Sequence, residues 1–444
     1  MPETFDLVVT GGETFTPSGA LRTDVGIRGG RIAAIGDLAT ASAAERIDAR
    51  GLTVLPGVID TQVHFREPGA EHKEDLATGT AGAALGGVTA IFEMPNTNPL
   101  TLSADDLAEK LRRAAGRTCV DHAFFMGGSA ANADRLRELE RLPGCSGVKV
   151  FMGSSTGNLL VEDDGTLARI LANGVRRMAV HAEDEARLKE RKHLVAGGAP
   201  PTMHPEWRDV ETAVLATKRL IGLARAARRK VHVLHITTAD EMAFLAGHKD
   251  LATVETTPQH LTLAAPECYE RLGTYAQMNP PIRDARHREG LWRAIADGVV
   301  DVIGSDHAPH TRAEKDKPYP ESPSGMPGVQ TLLPLLLDHV AAGRLTLQRL
   351  VDLTSAGPQR IYDIAGKGRI ALGYDGDLTI VDLKARRRIE NSWIASRSGW
   401  TPFDGMQVTG WPVATVVRGH VVMRDDTLLG EPVGAPVRFA DCLP

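Results

Sequence analysis

The stretch Asp60-Thr61-Gln62-Val63-His64-Phe65-Arg66-Glu67-Pro68-Gly69 puts a carboxamide and an imidazole two residues apart, directly after the apolar run Leu52 to Ile59. The run reads as a buried strand, and residues two apart on a strand share a face. Two imidazoles at that spacing would make half of a metal site. Here Gln62 takes one of the two places, and its carbonyl oxygen is a weaker ligand than imidazole. Other reactive side chains end other apolar runs. Asn96 follows one in Glu93-Met-Pro-Asn-Thr97, and Lys149 lies within Gly147-Val-Lys-Val-Phe-Met152. His181 stands in Ala179-Val-His-Ala-Glu-Asp184, His235 in Val231-His-Val-Leu-His-Ile-Thr237, and Asp306 in Gly304-Ser-Asp-His-Ala-Pro-His310. Three imidazoles (His64, His181, His235), the Asp306 carboxylate and Lys149 form a nitrogen and oxygen donor set suited to Zn²⁺, with Mn²⁺ or Co²⁺ as substitutes. A charged Lys149 inside an apolar strand beside cations is disfavoured. As a neutral amine it can add CO₂ and become an anionic carbamate; its plain alternative is an ammonium that reaches a rim acid. The remaining histidines, His204 among them, read as structural.

The elements that must hold these residues alternate between strand and helix. Candidate strands cover 58–64, 88–94, 121–126, 147–152, 178–181, 231–235, 252–256 and 302–306, with helical stretches such as 103–115, 131–140, 209–227 and 286–296 between them. Eight such alternations predict an α/β fold, an eight-stranded β/α (TIM-like) barrel, with an open doubly wound sheet as the alternative. Polar residues at the strand ends then share one rim, where barrel enzymes do their chemistry. Both chain ends are rich in short strands and Gly-Gly turns, which predicts a small discontinuous β-sandwich from residues 1–55 and 366–444 around a barrel of residues 56–365. Residues 307–328 contain five prolines and read as an irregular lid loop at the rim.

Bulk properties narrow the partners. At 42% hydrophobic and 24% charged residues, the 444-residue chain has a globular composition, large enough for two cores. A net charge of −5 without a long basic run argues against nucleic acid. No run approaches the length of a membrane span, and residues 1–8 lack the pattern of a signal peptide. The four cysteines are scattered without CxxC spacing, which fits reduced thiols in a cytoplasmic protein.

Five runs carry a family resemblance: Val63-His-Phe-Arg-Glu-Pro-Gly69, Glu93-Met-Pro-Asn-Thr97, Gly147-Val-Lys-Val-Phe-Met152, Met278-Asn-Pro-Pro-Ile-Arg283, and Gly304-Ser-Asp-His-Ala-Pro-His-Thr311 with Lys315. The chain resembles the amidohydrolase superfamily and, within it, the class I dihydroorotases, along nearly its whole length. The resemblance implies reversible cyclisation of N-carbamoyl-L-aspartate to L-dihydroorotate, a step of pyrimidine biosynthesis. It implies one or two Zn²⁺ held by His64, N-carboxylated Lys149, His181, His235 and Asp306, with Gln62 a weak ligand. Asp306 would be the catalytic proton carrier. Arg66, Asn96 and His310 would hold the substrate carboxylate, and Asn279 would contact the ring. Gln259 and His260 would support the site or serve structure. A homodimer is expected, with aspartate transcarbamoylase as a further partner. Two other readings are an allantoinase or hydantoinase, and an inactive scaffold subunit for that transcarbamoylase. The first would not need a carboxylate-binding pair; the second is suggested by Gln62 and opposed by the four other metal residues that remain.

Overall fold

The structure, a computed structural model, describes residues 4–154 and 159–442. Its centre is a parallel sheet of β1 (Val58–Val63), β2 (Val88–Glu93), β3 (Asp121–Gly127), β4 (Cys145–Phe151), β5 (Met178–His181), β6 (Val231–Val233), β7 (Ala252–Thr256) and β8 (Val302–Ile303). Each strand pairs with the next in sequence. The two edges meet where Val63 bridges His307 and His64 N donates to His307 O at 2.7 Å. This is the barrel expected from the sequence, not the open sheet. All strand residues are buried, which explains why the strands read as unbroken apolar runs. Strand β8 is shorter than expected because the backbone leaves the ladder before Asp306, which takes a left-handed φ of 46°.

Helices cover the outside. Asp209 caps Val210–Ala227 by accepting from Thr212 N, and Asp284 caps Ala285–Ala296 by accepting from His287 N. The helix expected over 131–140 is instead a 3₁₀ turn, Ala133–Arg135, followed by a single α turn, Leu136–Leu139. The Pro-rich segment 307–328 is less irregular than its composition implies. It carries a capped turn, Arg312–Lys315, and Lys315 Nζ donates to Pro323 O at 2.7 Å across the loop.

Strands from both ends of the chain interleave. Thr53–Pro56 lies between Glu13–Thr16 and Leu378–Arg388 in a seven-stranded sheet. A four-stranded sheet built on Phe5–Thr10 shares one apolar cluster with it, including Leu7, Val25, Ile27, Val54, Ile380 and Val416. Residues 435–439 cross the barrel floor. His122 N donates to Ala435 O and Val437 N donates to His122 O there, and Phe439 packs edge-on against Phe92 at 5.7 Å. Among the described residues no helix is long and apolar enough to cross a membrane, and all four cysteines are unpaired.

Candidate functional site

Gln62, His64, Arg66, His181, His235, Asn279 and Asp306 line one pocket at the C-terminal ends of the strands. Lys149 lies at its base, fully buried. Arg66, His235 and Asp306 sit just past the ends of β1, β6 and β8 on left-handed backbone (φ 64°, 36° and 46°). Such conformations cost roughly 1–3 kcal/mol each in a non-glycine residue and persist where the surrounding structure imposes them.

Hydrogen bonds decide which nitrogen each imidazole presents. Glu183 accepts from His181 Nε2 at 2.9 Å, so His181 turns the lone pair of Nδ1 inward, 3.0 Å from His235 Nε2. Glu183 is itself gripped by Arg208, whose Nη2 lies 2.5 Å and Nε 3.1 Å from its two oxygens. Burial opposes ionisation of Glu183, but Arg208 and His181 outweigh it and hold the carboxyl below its ordinary range. On the other side, Asn96 Oδ1 accepts from His64 Nδ1 at 2.8 Å. His64 Nε2 then faces Asp306 Oδ1 at 3.3 Å. Gln62 Nε2 donates to the same oxygen at 3.0 Å. Burial pushes the basicity of His64, His181 and His235 down, so their lone pairs stay available.

Three buried polar atoms test whether these residues fit a metal. Among the described residues, no hydrogen-bond partner reaches Lys149 Nζ, Gln62 Oε1 or His235 Nδ1. A lone pair of His64 also faces a carboxylate oxygen without a proton between them. The facing pairs His181 Nδ1–His235 Nε2 and His64 Nε2–Asp306 Oδ1, at 3.0 and 3.3 Å, repel one another unless a proton or a cation joins them. The donor set therefore fits a divalent metal. Burial lowers the Lys149 pKa to about 7, against the pull of Asp306 and Glu255. The nearby Glu255 is raised to about 8 by burial, and Thr61 Oγ1 donates to it at 2.9 Å.

The other expected residues fall into two groups. Arg66 enters the pocket, with Nε donating to Pro309 O at 3.2 Å and Nη2 3.4 Å from His310 Nε2. Burial brings its pKa down to about 10, which leaves it cationic at neutral pH. Its neighbour Glu67 pairs instead with Arg117 at 2.6 Å. His310 lies buried behind the pocket wall, with Nε2 3.1 Å from Ser324 O and Nδ1 3.2 Å from Lys73 Nζ. His260 turns to Pro280 O at 3.1 Å and Thr257 Oγ1 at 2.8 Å, and Gln259 Nε2 donates to Ser305 O at 2.7 Å. Both read as supports of the wall. Sequence reasoning passed over Glu183, Arg208 and His204. Glu183 follows His181 by two residues, a spacing that could have marked it as a partner.

One other cluster, Asp121, Asp375 and Asp377, has carboxylates close enough for a cation. Lys367 Nζ already lies 2.5, 3.2 and 2.6 Å from them, so the cation there is an ammonium.

Comparison with known proteins follows the same lines. A model of the amidohydrolase family matches residues 53–422. A dihydroorotase of Halobacterium salinarum is 38% identical over 419 residues, covering 91% of this chain and 94% of the relative. One of Methanosarcina acetivorans is 35% identical over 422 residues, covering 91% and 89%. An L-hydantoinase of Paenarthrobacter aurescens is 32% identical over 443 residues, covering 96% of each. Among solved structures, the L-hydantoinase (dihydropyrimidinase) from Arthrobacter aurescens superposes with a TM-score of 0.92 at 31% identity, covering 98% of this chain and 99% of that one.

Proposed function

The chain belongs to the amidohydrolase family and is a hydrolase of cyclic amides; from that premise we propose that it interconverts L-dihydroorotate and N-carbamoyl-L-aspartate, using zinc. The observation that carries this reading is the guanidinium of Arg66, a buried cation in the same pocket as His64, His181, His235 and Asp306. A ring that bears a carboxylate needs such a partner, and a ring without one leaves it unpaired in a dry site. His181, His235 and His64 with Asp306 would hold the metal, joined by Lys149 as its carbamate and weakly by Gln62. A zinc ion there supplies a polarised carbonyl and an acidified water.

The chain's own groups do the rest. Arg66 pairs with the substrate carboxylate and fixes the ring's orientation. His310, with Nε2–H donating to Ser324 O and Nδ1 accepting from Lys73, holds the wall against which Arg66 packs. Asn96 holds His64 in the tautomer that turns Nε2 to Asp306. Asn279 contacts the ring. In hydrolysis Asp306 takes the proton of the attacking water at a carboxylate oxygen. It returns that proton to the ring nitrogen as the C–N bond breaks, and synthesis runs the same transfer backwards. The same proposal treats residues 1–55 and 366–444 as one sandwich unit, 56–365 as the catalytic barrel, and 307–328 as its lid.

The test measures hydrolysis of L-dihydroorotate, hydantoin and allantoin by the purified chain alongside its zinc content. The expected outcome is at least one zinc per chain and a kcat/KM for dihydroorotate roughly a hundredfold above the other two. Preference for hydantoin would install the second reading, which the 0.92 TM-score to an L-hydantoinase favours. Zinc binding without turnover of any ring would make the chain a scaffold.

A further inference from the structure

Asn279 sits half-buried on the pocket wall, and an amide can face a substrate with either its oxygen or its nitrogen. The structure decides which. His204, on the single turn His204–Trp207, is 1% exposed and points Nε2 at two oxygens: Met278 O at 3.0 Å and Asn279 Oδ1 at 3.1 Å. A peptide oxygen can only accept, so His204 Nε2 carries the ring proton and His204 Nδ1 is the acceptor. The Tyr319 hydroxyl, 3.3 Å from Nδ1, is then the donor to it. Burial, helped by Arg208, takes the His204 pKa down to about 3, so this neutral tautomer persists at working pH.

The polarity runs in one direction: Tyr319 O–H to His204 Nδ1, then His204 Nε2–H to Asn279 Oδ1. With its oxygen taken, Asn279 has only its NH₂ to offer the pocket. We propose that His204 is a specificity-determining positioning residue, which locks Asn279 as a hydrogen-bond donor to a ring carbonyl of the substrate, and that Tyr319 of the 307–328 loop holds His204 in that role. The inference rests on the reading above that Asn279 faces the ring. It also ties the position of the loop to the recognition of the ring, since Tyr319 belongs to the loop and is 5% exposed.

The test uses purified full-length chain loaded with zinc and L-dihydroorotate as the probe. His204→Leu removes the Nε2 donor at similar volume, and His204→Gln restores an amide donor. The expected result for His204→Leu is a KM raised roughly tenfold, one lost neutral hydrogen bond, with a smaller change in kcat and unchanged zinc content. His204→Gln should recover most of the loss. Tyr319→Phe keeps the ring and removes only the hydroxyl, and should raise KM about two- to threefold; it remains informative if His204→Leu does not fold. Asn279→Ala separates the two layers of the argument. If Asn279→Ala leaves KM unchanged, Asn279 does not face the ring and the underlying reading fails. If Asn279→Ala raises KM but His204→Leu and Tyr319→Phe do not, the ring contact stands and the positioning role of His204 is overturned. Equal losses in His204→Leu and His204→Gln, or loss of zinc in either, would also overturn it by making the effect structural.

Discussion

Two buried lysines lie at opposite ends of this barrel in inverse surroundings. Lys367, at the floor, is met by the carboxylates of Asp121, Asp375 and Asp377, and their charges raise its pKa above the ordinary lysine value despite burial. Lys149, below the pocket, has no hydrogen-bond partner among the described residues, and burial takes its pKa down to about 7. A buried charge that is fully paired holds a structure together. A buried amine left unpaired makes the fold less stable than an apolar side chain would, and such groups mark functional sites. The contrast also decides between two clusters that could each be taken for a metal site: the acidic one already contains its cation, while the histidine one contains only donors.

The strongest way to break this contrast is Lys149→Ala. It should lower kcat/KM about 10³-fold or more and release zinc, while in metal-free, CO₂-free chains the variant's thermal midpoint holds or rises relative to wild type as a desolvation cost disappears. Activity near wild type with full zinc would show that the unpaired amine has no role. Lys367→Met should do the reverse. Asp121 keeps Arg418 and Asp375 keeps Arg31 and Arg438, but Asp377 loses its ammonium, and one buried carboxylate left unpaired costs about 3–5 kcal/mol, read from urea unfolding, while zinc content and turnover per folded molecule stay within about twofold. A variant as stable as wild type would refute the structural role of Lys367.

The pH dependence of stability sharpens the same pair. Folded Lys149 releases its proton near 7 and unfolded lysine near 10.5, so between these values the unfolded state binds more protons. The stability of metal-free, CO₂-free chain should rise with pH across that window, by up to about 1.4 kcal/mol per unit. Lys367, raised instead, contributes stability that is fully present below 10.5 and is lost only above it. Lys315 and Lys110, brought to about 7 and 8 mainly by burial, add slopes of the same sign as Lys149. The Lys149 share is therefore the slope difference between wild type and Lys149→Met, and equal slopes would count against it. The smallest effect belongs to Gln62→His. Replacing the amide that binds Asp306 with an imidazole should raise zinc by up to one ion per chain, with less than a tenfold change in kcat. An unchanged zinc count by elemental analysis would show that Gln62 does not limit that position.

The barrel was legible because its strands are covered on both faces and so spell unbroken apolar runs, and because His64, His181, His235 and Asp306 interrupt those runs at their ends. The groups that orient the site were not. His204 opens a single helical turn too short to show periodicity and Arg208 follows its end, and their partners, Asn279 and Glu183, belong to other elements. Asn96 and His310 were read as direct substrate contacts; within the protein Asn96 bonds to His64, and His310 to Ser324 and Lys73, partners that spacing does not encode because a side chain's direction depends on backbone turns. The turn inside the 307–328 loop was hidden by its prolines, although Thr311 and Glu314 have the spacing of a capping box.

The interleaving of the two chain ends has a consequence for synthesis. Thr53–Pro56 pairs with Leu378–Val381, more than 300 residues downstream, and the floor segment 435–439 comes later still. At about 5–20 residues per second, a ribosome takes tens of seconds to deliver those partners. Through that interval the nascent chain carries an unmatched apolar edge and an uncovered aromatic floor around Phe92 and Phe125, the surfaces on which a chaperone would act.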